Sequence, residues 1–158
     1  MSGRVHRINI SKGGVPKLPV RECRVSVQGL EGDWQKDRKH HGGPERAVCL
    51  FAMEIIERLR GEGHPIGAGT TGENFTFAGI DWSQLRPGVR VAIGGNDGVE
   101  LEIASYCEPC ATIRNSFTGL KFKRIDQDLH PGESRVYARV VREGVVREGD
   151  RVEIASGV

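Results

Sequence analysis

No stretch of this sequence approaches the ~18 consecutive apolar residues of a membrane-spanning helix, so no membrane contact is expected. The opening "MSGRVHRINIS" carries charges without an apolar stretch or a small-residue cleavage site behind them. It does not read as a secretory signal, and the expected location is the cytoplasm. Cysteine is sparse: Cys23, Cys49, Cys107 and Cys110 are spaced too irregularly for a secreted disulfide framework. An excess of one charge is missing too. With 23 Lys and Arg against 21 Asp and Glu, the formal net charge of +2 is too small to imply a nucleic-acid partner. No low-complexity tract, linker or fixed-period repeat divides the chain, so one domain over 1–158 is expected. The echo of "RPGVRVAI" (86–93) in "REGDRVEI" (147–154) is shared hairpin grammar, a turn glycine ahead of an alternating strand.

Glycine, by contrast, is plentiful. The 22 glycines are about twice the usual share of roughly 7%. Among short alternating segments they argue for a sheet that turns repeatedly on itself. Residues 4–10 and 18–30 read as strands, the second one bent. Residues 31–45 form a long polar loop, a type of segment that often carries function. Residues 46–51 read as a strand running into a helix over 52–60, on the stripe Val48, Phe51, Ile55, Ile56 and Leu59, stopped by Gly61 and Gly63. "LRPGVRVAIGG" (85–95) and "VELEIASY" (99–106) make a hairpin, and 135–155 supplies two more strands joined near Glu143. The expected fold class is mainly β with short helices, mostly antiparallel and closed like a barrel.

The stretch "SYCEPCATIRN" (105–115) holds the paired cysteines Cys107 and Cys110. Pro109 before Cys110 suggests a helix entrance, where unpaired N–H groups favour a thiolate, and Arg114 would add to that effect. Cys110 is thus the candidate reactive or metal-binding thiol, with Cys107 accessory. A zinc site wants four ligands and a thioredoxin-like dithiol wants a βαβ setting, and this chain advertises neither. Cys23 and Cys49 read as buried, inert thiols. "HHGGPERAV" (40–48) offers His41, Gly42, Gly43 and Arg46 to an anion, and "TTGENFT" (70–76) offers Gly72, Glu73, Asn74 and Thr76. Each also reads as an ordinary polar turn. The basic runs 35–41 and 114–124 meet a phosphate or form a solvated face. His6, His64 and His130 lack partners at metal spacing and read as structural or surface residues.

Taken in order, "GLEGDWQKDRKHHGGPERAV" (29–48), "GENFT" with "AGID" (72–76, 78–81), "LRPGVRVAIGG", the Pro109-Cys110 step and "GESRVYARVVREGVVREGDRVEI" (132–154) resemble the MOSC domain, named for the C-terminal domain of molybdenum cofactor sulfurases. The resemblance spans nearly the whole chain. It implies a β-barrel-like fold whose cleft binds molybdenum cofactor, with Cys110 as the family's cysteine after proline, ligating the metal or carrying sulfur. Stand-alone relatives of this size resemble bacterial enzymes that reduce N-hydroxylated bases with electrons from a separate reductase.

That implies a small-molecule substrate and a reductase partner. Separately, glycine-rich β chains expose edges that can pair, so a monomer or homodimer is expected. No pyridoxal phosphate is implied, because the lysine that binds it belongs to another domain of the sulfurases. Two other classes stay open: a carrier of sulfur or cofactor without catalysis, and a small zinc or dithiol domain. One departure stands out. Many relatives place an arginine three positions before the cysteine, and here that position is Cys107.

Overall fold

Strand β1 (Ser2–Ile10) leads into the fold, which a computed structural model describes over residues 2–34, 43–95 and 98–155. Its inward phase changes along its length. Val5 faces inward, then a register shift between Val5 and Arg7 carries the inward face to Ile8, because side chains alternate with period two. The bulge lets one strand serve three neighbours.

The expected bent strand over 18–30 is broken into β2 (Leu18–Val20), β3 (Glu22–Ser26) and β4 (Gly29–Leu30). β3 buries Cys23 and Val25 and exposes Glu22 and Arg24, as its alternation requires. Next, β5 (Val48–Ala52) is buried at every residue and runs directly into α1 (Met53–Gly61), which buries Ile55, Ile56 and Leu59. β6 (Phe75–Ala78) returns parallel to β5, with α1 as the crossover that a parallel pair needs. This parallel pair interrupts the otherwise antiparallel sheet.

β7 (Arg90–Ile93) and β8 (Val99–Tyr106) form the expected hairpin, with Ile93 opposite Val99. The C-terminal region gives three strands rather than two: β9 (Val136–Arg142), β10 (Gly144–Arg147) and β11 (Arg151–Ile154). β10 leaves the main sheet and pairs with β3, forming a small second sheet ordered β10-β3-β4. β11 then returns to pair with β7 and β1.

The chain of pairings closes: β1, β11, β7, β8, β9, β5 and β6 form a barrel, with β2 added beside β1. The fold is mainly β and barrel-like. Its core includes Ile8, Leu50, Phe51, Phe75, Phe77, Ile93, Leu101 and Ile103, all fully buried. Among the described residues no helix is long and apolar enough to cross a membrane.

Candidate functional site

A cavity of about 240 Å³ opens where β8 ends and β9 begins. Cys107 and Cys110 reach it from the segment after β8, and Arg135 and Tyr137 from the start of β9. Cys49 comes from β5, in register with Tyr137. Val15, Lys17, Thr71 and Gly72 come from two turns on the opposite wall. Three of the four cysteines therefore meet at one cavity.

The turn at 69–72 depends on glycine. Gly69 and Gly72 adopt φ of 81° and 82°, and a Cβ on Gly69 would strike the Lys17 carbonyl and the Asn9 side chain. Arg135 crosses to this turn and donates from Nη1 to the Thr71 carbonyl.

Cys110 is half-buried and extended, and its carbonyl accepts from Ile113 N–H at 3.2 Å as a 3-10 turn begins at Ala111. The helix that the Pro109-Cys110 step suggests is a short 3-10 helix, Ala111–Ser116. Ser116 Oγ fastens it to Thr70 Oγ1 at 2.9 Å. Arg114 is exposed and folds back, donating from Nη1 to the Ala111 carbonyl at 2.8 Å, so it stays with its own turn and does not line the cavity.

Cys107 is buried, as are Cys49 and Tyr137, and the three pack as one cluster. A hydrogen bond with Cys107, reinforced by burial, holds the Cys49 thiol well above the ordinary range. Burial does the same to the Tyr137 phenol. Both keep their protons at neutral pH, beside the buried cation of Arg135. Burial opposes that charge, but Cys107, Cys49, Tyr137 and Glu73 around it raise its pKa on balance. Cys23 lies elsewhere, its thiol pushed by burial to about 11, in keeping with an inert core residue.

The residues of "TTGENFT" divide. Gly72 lines the cavity, whereas Glu73, Asn74 and Thr76 are fully buried behind its wall and do not reach it. Glu73 accepts from Gly69 N–H, Thr71 Oγ1 and Thr76 Oγ1 at 3.0, 3.0 and 2.9 Å. Asn74 Oδ1 accepts from Cys49 N–H at 2.9 Å, and its Nδ2 donates to Asp33 Oδ2 at 2.9 Å. Asp33 in turn takes Lys17 Nζ at 2.8 Å. These groups are consumed by the protein because buried polar groups need partners. They are wall-builders rather than ligand contacts.

Gly43 and Arg46 border a neighbouring groove rather than this cavity, although Arg46 lies over the Tyr137 ring at 5.5 Å and so touches its lining. His41, Gly42 and the basic run 35–41 lie outside the described residues. His64 accepts from Thr118 N–H at 3.1 Å, a structural contact. Among the described residues no group of three or more His, Cys, Asp and Glu side chains is arranged to hold a metal ion by itself.

Residues 37–153 match the MOSC domain, well over half of the chain. The chain belongs to the MOSC domain family. This MOSC domain is 28% identical over 147 residues to "Uncharacterized protein YflK" of Bacillus subtilis, covering 90% of this chain and 63% of YflK, so it spans less than two thirds of that relative. Among solved structures it is similar to YiiM from Geobacillus stearothermophilus, at 24% identity and TM-score 0.76, covering 98% of this chain and 75% of YiiM. YUAD protein from Bacillus subtilis superposes with TM-score 0.74 at 17% identity, covering 100% of this chain and 98% of YUAD. YiiM from Escherichia coli does so with TM-score 0.72 at 21% identity, covering 100% and 71%. At these identities the solved structures speak for the fold alone.

Sequence reading of this MOSC domain missed Arg135, Tyr137, Lys17 and Thr71 as cavity residues, and took Cys49 for inert packing. "SRVYARVV" hides Arg135 because alternating Arg135, Tyr137 and Arg139 look like one solvent face. In fact Arg139 pairs with Glu102 at 3.0 Å on the sheet's outer side, while Arg135 is buried just before β9 begins. Only the end of the strand separates the two environments.

Proposed function

We propose that this MOSC domain binds a molybdenum cofactor with Cys110 as the metal's thiolate ligand, and reduces N-hydroxylated bases or related compounds with electrons from a separate reductase. The observation that carries this reading is the placement of Cys110: a half-buried thiol on a cavity whose other thiols, Cys49 and Cys107, are buried. A thiolate is a soft ligand suited to a redox metal. Cys49 and Cys107 are buried, so Cys110 is the thiol a metal in the cavity can reach most directly.

The donor set fits the group: soft sulfur stands beside a buried guanidinium, which suits a metal carrying anionic ligands. The metal end of the cofactor would sit at this cavity, where these donors gather. Gly72 and Thr71 would border that end, and Arg46 lies beyond Tyr137 for a more distant part.

When bound, the cofactor supplies a two-electron redox centre. The reduction consumes two electrons and two protons, breaking an N–O bond to give an N–H compound and water. The chain's own part is to hold the ligand thiol on the Pro109 step and to wall off solvent with Val15, Cys107 and Ile113.

Elemental analysis tests the assignment, on protein made in a host that synthesises the cofactor. Wild type is expected to carry molybdenum, Cys110→Ala to drop to background, and Cys107→Ala to retain the metal. Molybdenum at background in wild type, or undiminished in Cys110→Ala, removes the reading. Turnover of an N-hydroxylated purine with an artificial electron donor then separates an enzyme from a carrier, which would bind without catalysis. Zinc that requires both cysteines would instead identify a dithiol metal domain.

A further inference from the structure

We infer that Arg135 anchors an oxoanion subsite in the wall of the cavity, at the start of β9. Arg135 is only 6% exposed yet lines the cavity. A buried guanidinium is costly unless its charge and its N–H groups are answered. Here they are answered in part: Nη1 donates to the Thr71 carbonyl, but the buried Nε has no partner. Among the described residues no carboxylate lies within ion-pair distance of it. Glu73, the buried acid in its surroundings, has both oxygens committed to Gly69, Thr71 and Thr76.

The groups beside it sharpen the case. Cys49 and Tyr137 keep their protons, so they add hydrogen-bond capacity without adding negative charge. Glu108 is the one acidic side chain among the cavity's described residues, and it is exposed to solvent, where water weakens its influence. A buried guanidinium in the cavity wall, with no carboxylate in ion-pair distance, is complementary to an oxoanion.

Cys107 N–H donates to the Arg135 carbonyl at 2.9 Å, so residues 107 and 135 are direct neighbours across the β8–β9 ladder's extension. The ligand class is an oxoanion: either a phosphate group or an oxometalate.

The inference rests on the cavity being the ligand site of the proposed function, but its test uses cofactor-free protein. Cys110 can therefore fail as a metal ligand while Arg135 stands, and the reverse. Calorimetric titration of the full chain with inorganic phosphate and with molybdate is expected to show one shared site. Affinity should fall by about tenfold or more in Arg135→Gln and by less in Arg135→Lys, the range of a hydrogen bond to a charged group. Molybdate preferred over phosphate, and weakened in Cys110→Ser, assigns the site to an oxometalate. Equal affinities indifferent to Cys110→Ser assign it to a phosphate group.

Should Arg135→Gln not fold, the wild-type protein still decides. The Arg135 Nε–H resonance, identified by its loss in Arg135→Lys, is expected to shift on phosphate titration. The subsite is overturned by the absence of binding of either anion at millimolar concentration, by undiminished affinity in folded Arg135→Gln, or by an Nε–H signal that stays put at the highest phosphate concentration.

Discussion

Asn74 shows how much one amide can organise. It clamps the peptide of Cys49 from both sides, its N–H donating to the Cys49 carbonyl at 2.8 Å while its Oδ1 accepts from the Cys49 N–H. Its Nδ2 satisfies Asp33, the buried partner of Lys17. Asn74→Ala orphans the Cys49 N–H and one contact of a buried carboxylate, each costing about 1–3 kcal/mol, so a loss near 3 kcal/mol in urea unfolding is expected. The same variant should let Cys49 react faster with a disulfide reagent, because the strand that buries it loosens. Unchanged stability would show that the clamp carries no energy. At this scale the sequence was legible where the chemistry is local: Cys110 stands out behind Pro109 with no structure in hand. Asn74 and Glu73 read equally as ligand contacts or turn residues, because only tertiary packing reveals that their polar atoms face Cys49, Gly69 and Thr76 rather than a ligand.

Among the elements, α1 is tied to the segment that follows the cavity wall by a charged network. Arg124 makes a bidentate contact with Glu62, just past α1, with both distances 3.0 Å, and also reaches Glu133. Arg58 of α1 meets Glu133 at 2.9 Å. The hydrogen bond from Arg124 lowers the Glu62 carboxyl's pKa. At Glu133 burial pulls upward, but Arg124 and Arg58 outweigh it and the net shift is downward. A depressed carboxylate contributes stability that is present above its unfolded value, near 4.5, and lost as pH falls through its folded value. Arg124→Ala should therefore melt below wild type at neutral pH, with the gap closing in acid, below 4.5, as the carboxylates take up protons. A gap that is constant with pH in thermal melts would mean that Arg124 acts by packing alone. The stripe of Ile55, Ile56 and Leu59 made α1 readable because helical spacing is a local pattern. β6 was not readable. Its "FTFA" is buried throughout and only four residues long, so neither alternation nor length marks it, and what makes it a strand is pairing with β5 and β1.

For the whole molecule, the question is what holds a barrel shut when its last seam joins the two ends of the described chain. β1 closes on β11 through Ser2 with Glu153, Gly3 with Val152 and Arg4 with Arg151, while its next residues turn to β6. Backbone bonds from Val5 N–H to Asp150 O and from Gly149 N–H to Val5 O, both 2.8 Å, lock the corner. Gly3 sits where all three strands crowd: a Cβ there would strike the Ala78 carbonyl and the Ile80 side chain. Its backbone is not left-handed, so close approach, rather than conformational freedom, requires the missing side chain. Gly3→Val therefore has to push β1 off β6 or β11, and overpacking of this kind costs about 1–3 kcal/mol. Because β6 follows the turn that holds Gly72 and Thr71, loosening the seam also slackens the wall that Arg135 grips. The expected outcome is a lower Tm together with faster amide exchange at Val5 and Gly149, while amides of the β7–β8 hairpin, paired with each other, keep their protection. Exchange that rises equally in the hairpin would show the barrel opening as one unit, and a Tm equal to wild type would show that the seam has room to spare.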